Sequence, residues 1–156
     1  MSASSEELAV IGLGSTLRRD DGIGIHLLAM LRERLAGDRI AFLDFGGASF
    51  GLVNRLREHE KVLLIDAIDA GLPPGELRIF RLDEASFRVR ENKVSSHELS
   101  LGDLLEVCGS LGVAADVRVA GIQVKDTSYG LEMSAELETA KPRLAGEIAA
   151  FIKNWL

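Results

Sequence analysis

The chain contains a single cysteine, Cys108, among its 156 residues, so an internal disulfide is excluded and the cysteine usage fits a reducing compartment. A basic excess is also missing. With 18 Lys and Arg against 24 Asp and Glu the formal charge is −6, which argues against nucleic-acid binding, since that needs clustered cations to displace counterions from phosphates. No apolar run approaches the roughly 20 residues that span a bilayer, so membrane insertion is not expected. Met1 to Glu7 is polar and acidic, without a positive n-region or an apolar h-region, and the expected location is cytoplasmic. Two motifs are absent as well: no His-Glu-x-x-His zinc-protease pair occurs, and no Gly-Lys-Ser/Thr ending completes a P-loop.

What is present reads as one globular domain over residues 1–156, with 47% hydrophobic and 27% charged residues. Leu8 to Leu13 is an apolar run of the kind buried on both faces of a parallel sheet. Ile23, Leu27, Met30, Leu31 and Leu35 then recur at helical spacing before Gly37, a helix-ending residue. Ile40 to Asp44 and Val62 to Asp66 predict the second and third strands, with a helix over Leu52 to Arg57 between them. Gly71-Leu72-Pro73-Pro74-Gly75 is turn chemistry, and Leu77 to Arg81, alternating apolar with basic, predicts a half-exposed edge strand. Ser95 and Ser96 are N-cap types ahead of a helix whose apolar face is Leu101, Leu104, Leu105, Cys108 and Leu111. Val117 to Ile122 supplies a fifth strand, and a C-terminal helix starts near Ser134. The alternation predicts an α/β fold: a three-layer sandwich with a mostly parallel five-stranded sheet and helices on both faces.

In such sheets ligands bind beyond the carboxyl ends of the strands, which makes Asp20, Asp21 and Asp66 candidates by position. The bland alternative for the first two is that one of them caps the following helix. Asp66 closes the apolar run Val62 to Ile65, and a carboxylate so near the core needs a compensating partner. Among three histidines, His59 sits in a charged run, His26 borders the apolar face of the first helix, and His97 follows the two cap-type serines. A helix start favours a neutral imidazole able to ligate metal. Two carboxylates and one imidazole suit zinc, nickel or ferrous iron, with coordination positions left open.

Rival motifs are weaker. Gly47-Ala48-Ser49-Phe50-Gly51 matches G-x-S-x-G and precedes Asp66 and His97 in α/β-hydrolase order, which gives a serine hydrolase built on Ser49 as an alternative. The chain is short for that fold, and the motif follows the second strand. Gly12-x-Gly14 lacks the third glycine of a dinucleotide fingerprint, because Leu17 stands there. Cys108 shares its helix face with leucines and reads as a packing residue.

Gly12 to Gly24 resembles the G-x-G-N-x-L-x-x-D-[DE]-x-x-G signature of the maturation endopeptidases of nickel-iron hydrogenases. Leu64-Ile65-Asp66-Ala67, the Gly71 to Leu77 turn, Ser96-His97-Glu98-Leu99, Gly121-Ile122-Gln123 and Gly130-Leu131 are similar to further segments of that family, in the family's order. The resemblance implies an endopeptidase that removes the C-terminal extension of a hydrogenase large-subunit precursor after nickel insertion. Carried over motif by motif, it implies metal contacts at Asp21, Asp66 and His97, with nickel brought by the substrate and no organic cofactor. Asp21 and Asp66 are then also the candidate catalytic carboxylates. The sequence departs from the family pattern at Ser15, at Asp44-Phe45-Gly46-Gly47 and at Val124, which by the resemblance bears on the substrate-facing loops more than on the metal contacts. A non-catalytic checkpoint that binds the nickel-loaded precursor is the alternative of another class.

Overall fold

The computed structural model describes residues 6–37, 39–46, 50–82, 90–91 and 101–156. Strand β1 (Leu8–Leu13) is followed by a 3-10 turn (Arg19–Gly22), α1 (Ile23–Arg34), β2 (Ile40–Gly46), α2 (Phe50–Leu56), β3 (Lys61–Asp69), β4 (Leu77–Arg81), β5 (Arg90–Glu91), α3 (Leu101–Ser110), β6 (Asp116–Gln123) and α4 (Ala135–Trp155). The strands run in the order β2-β1-β3-β6-β4, parallel throughout except for β4, which lies antiparallel on β6 as the edge strand. The expected five-stranded, mostly parallel sheet is therefore present. A sixth strand, the two-residue β5, was not legible in the sequence.

Strand alternation divides the core between two faces. Val10, Leu63, Ile65, Ala120 and Ile122 pack under α1 and α4, whereas Ala9, Ile11, Val62, Leu64 and Val119 pack under α2 and α3. On α1 the buried residues are Ile23, Gly24, Leu27, Leu28 and Leu31, and each large apolar side chain removed from water contributes about 1.5–3 kcal/mol. Leu104 and Cys108 are buried on α3, and burial pushes the Cys108 thiol pKa up, in keeping with a packing role. Leu111 departs from expectation: α3 ends at Ser110, so Leu111 falls in the turn beyond it and is exposed.

Chain direction at the carboxyl edge is set by glycine. A Cβ on Gly12 would meet the Gly24 carbonyl oxygen at 2.7 Å, and one on Gly24 would meet the carbonyl oxygens of Leu13 and Ile65 closer still. The start of α1 thus lies flush on the ends of β1 and β3, an approach that only glycine permits.

Gly24→Ala is expected to cost about 1–3 kcal/mol, because the obstructing atoms are backbone and cannot turn aside. Urea denaturation checks this, and an unchanged midpoint would contradict it. His26, half-buried on α1, has its pKa lowered from 6.5, first by burial and then by Lys141, with Glu138 opposing. The unfolded chain therefore takes up the proton first as pH falls, and stability that is complete above 6.5 declines below it. In His26→Gln the stability measured between pH 7 and 5 should flatten; an identical pH slope in both proteins would refute the assignment.

Candidate functional site

The strands β1 and β3 part at the carboxyl edge, where the chain's direction across the sheet reverses: β2 lies on one side of β1 and β3 on the other. The last β1–β3 pair is Gly12 with Ile65, so Asp66 stands one residue beyond the point where β1 parts from β3. β6 pairs with β3 through Ile68 on the opposite side, which places β5, paired with Ile68 and Asp69, on the edge that β1 vacates. On that edge the register with β1 ends at Ile65 and the register with β5 begins at Ile68, with Asp66 and Ala67 between them. The Asp66 carboxylate is half-buried, and its Oδ1 accepts the Ala67 N–H at 2.9 Å. By alternation Asp66 belongs with Val62 and Leu64 to the α2/α3 face.

The 3-10 turn that carries Asp20 and Asp21 packs against β3. Both carboxylates are buried, and neither caps α1: its N-cap is Gly22, with no side-chain cap bond, which corrects the capping alternative. They have separate duties. Asp21 Oδ2 accepts the Ser15 N–H at 2.8 Å, which ties the turn back to the loop leaving β1. Asp20 faces the distant segment 125–134. Its Oδ2 accepts the N–H groups of Lys125 and Asp126, each at 2.9 Å, and the Ser134 hydroxyl at 2.8 Å, while Oδ1 accepts the Ser134 N–H at 2.7 Å. Four donors compensate a carboxylate with no exposed surface. The Ser134 hydroxyl is spent there, which explains why α4 starts without a side-chain cap. Arg19, in the same turn, is the one non-glycine with positive φ among the described residues, at 44°.

Gln123, at the end of β6, is buried and uses its whole amide. Oε1 accepts from Ala70 N–H at 2.7 Å and Leu72 N–H at 3.2 Å, while Nε2 donates to Asp69 Oδ1 at 3.2 Å and to the Val124 carbonyl at 2.9 Å. It fixes the turn after β3. A cavity of about 280 Å³ opens beside the acidic turn at the ends of β1 and β2, lined by Gly14, Ser15, Thr16, Leu17, Ile25, Asp44 and Gly46.

The structure therefore brings the turn of Asp21 onto the strand that carries Asp66. His97, Ser49 and the cap-type Ser95 and Ser96 lie outside the described residues. The tie between Asp20 and Ser134 was beyond sequence reasoning, because 114 residues separate the partners and a Ser before a helix reads as a cap.

The model of the HycI family, hydrogenase maturation protease, matches residues 25–151. The chain belongs to the hydrogenase maturation protease family. The hydrogenase expression/formation protein HupD of Bradyrhizobium diazoefficiens is 32% identical over 112 residues, which are 71% of this chain and 58% of HupD. The chain thus spans little more than half the length of that relative. The hydrogenase maturating endopeptidase HybD from E. coli shares the fold with a TM-score of 0.77 at 22% identity, over 95% of this chain and 93% of that one. The [NiFe] hydrogenase maturation protease HybD from Thermococcus kodakarensis gives 0.70 at 25% identity, over 94% and 98%. The family profile begins at Ile25, so the Asp20–Asp21 turn lies just outside the matched segment and is placed by the fold.

Asp20→Ala should lower stability by about 3 kcal/mol, because it strands four donors at once. Thermal or urea denaturation measures this. A loss below about 1 kcal/mol would show the tie to be replaceable by water.

Proposed function

We propose that this chain is an endopeptidase that removes the C-terminal extension of a nickel-iron hydrogenase large-subunit precursor once nickel has been inserted. Family membership supports the reaction class. The observation that carries the site is the packing of the Asp21 turn on β3, the strand that carries Asp66, at the edge where β1 parts from β3. His97 precedes α3, the helix packed on the same face to which Asp66 belongs by alternation, and it completes the ligand set of this reading.

In this proposal Asp21, Asp66 and His97 contact the nickel that the substrate carries. Three protein ligands leave coordination positions for the substrate's own donors, so the site distinguishes a loaded precursor from an empty one. Nickel is then recognised as part of the substrate and is not held as a cofactor. Peptide hydrolysis needs a polarised carbonyl and an activated water, and the same two carboxylates are within the reading as general bases. Among the described residues no helix is long and apolar enough to cross a membrane.

Purified protein mixed with purified nickel-loaded precursor should release the C-terminal peptide without other components, resolved by mass spectrometry. Asp21→Asn and His97→Ala should each reduce that rate by at least roughly a hundredfold while leaving the circular dichroism spectrum unchanged. Normal processing by both variants would defeat the assignment, and binding of the precursor without cleavage by the unaltered protein would leave the checkpoint role in its place.

A further inference from the structure

We propose that Leu17, Tyr129 and Leu131 form an apolar ledge that seats the precursor polypeptide beside the acidic turn, and that Asp20 is the positioning residue holding this ledge in place. The inference rests on the proposed function, whose substrate supplies the occupant.

Tyr129 is 78% exposed, Leu131 74% and Leu17 61%. They are three of the five large exposed hydrophobic residues among those described, and they are gathered on one short bridge between Arg18 and Gly130. The Gly130 N–H donates to the Leu17 carbonyl at 2.9 Å, and the Arg19 N–H donates to the Gly130 carbonyl at 3.0 Å, which sets Leu17 against the residue between Tyr129 and Leu131. Scattered single apolar residues on a surface call for no explanation, but a group assembled by the backbone at the rim of a site does.

The ledge is also rigid. Arg18 Nε donates to the Thr127 carbonyl at 3.1 Å and lays its guanidinium 4.6 Å from the centre of the Tyr129 ring, while Arg19 Nη1 donates to the Glu132 carbonyl at 3.2 Å. Both ends of segment 125–134 are held by the four bonds to buried Asp20. A backbone braced beforehand loses little entropy on binding, which is how a small apolar surface becomes an effective anchor.

Two observations name the occupant. Leu17 also lines the cavity shared with Ser15 and Asp44, so the ledge is continuous with the opening next to the Asp21 turn, where the proposed function places the substrate polypeptide. Arg18 makes no ion pair among the described residues, so at the Tyr129 end of the ledge its guanidinium can meet a carboxylate, while Glu132 follows Leu131 at the other end. The occupant is a segment of the precursor with apolar side chains next to an acidic residue.

The test measures dissociation constants and cleavage kinetics with purified nickel-loaded precursor. The doubly substituted Tyr129→Ala, Leu131→Ala protein should bind roughly tenfold more weakly and raise KM about as much, with kcat within about twofold, since truncating a central interface anchor costs on this scale. Leu111→Ala, which removes an equally ordinary exposed leucine from the turn after α3, should change neither. Asp20→Asn should weaken binding too, and adding it to the double variant should weaken it no further, because both act through one ledge; a role confined to stability would add independently. Unchanged binding in the double variant, or full additivity with Asp20→Asn, would overturn the proposal. Binding that weakens as expected in a protein that never cleaves would keep the ledge and remove the protease reading, and failure of the unaltered protein to bind the precursor would remove both.

Discussion

The contact between Gly24 and the carbonyl ends of β1 and β3 is the constraint on which the site depends. A side chain at residue 24 would occupy the space of the Leu13 and Ile65 carbonyl oxygens, so the first turn of α1 can lie on the sheet only because that residue is glycine. Flush packing there places the preceding 3-10 turn on β3, and with it Asp21 on the strand of Asp66. The parallel order of β1 and β3 does the complementary work. β1 stops at Leu13 while β3 continues to Asp69, which opens the sheet edge at the level of Asp66.

The two adjacent aspartates show how similar residues are divided by their surroundings. Asp20 turns toward a segment more than a hundred residues away and is saturated with donors, so its charge goes into architecture. Asp21 is bonded to Ser15 across the same loop. Consecutive residues in a 3-10 turn project in different directions, so one reaches the distant segment while its neighbour ties back to the loop leaving β1. Gln123 serves the same purpose as Asp20 on the other side of β3, where its amide holds the turn at residues 70–72. Buried polar side chains with every bond satisfied thus brace the loops around Asp66 from both flanks.

Much of the scaffold was legible in the sequence for definite reasons. The unbroken apolar run Leu8 to Leu13 marks a central strand with no exposed face, and its limits agree with the structure residue for residue. Helical spacing from Ile23 and the glycine at 37, whose φ is 93°, bracket α1. Alternation located β4 but not its antiparallel direction, because periodicity carries no polarity. The strand over β3 was read as ending at Asp66, whereas it runs on to Asp69: a charged residue looks like a terminus when the strand's own carboxyl edge is solvated. The candidate carboxylates were legible through their position after apolar runs and through resemblance to a family motif. The apolar ledge was not, since single exposed hydrophobic residues carry no periodic signal, and only the pairing of Arg18 with Gly130 collects them.

The central claim is that folding gathers Asp21 and Asp66 with His97 around one vacant coordination site. A crystal structure of the protein soaked with nickel tests it most directly, through the anomalous signal of the ion. The account predicts a single strong peak at the carboxyl edge of β3, roughly 2 Å from a carboxylate oxygen of each aspartate and from an imidazole nitrogen of His97. A peak bound elsewhere, with His97 turned to a surface remote from Asp66, would contradict it.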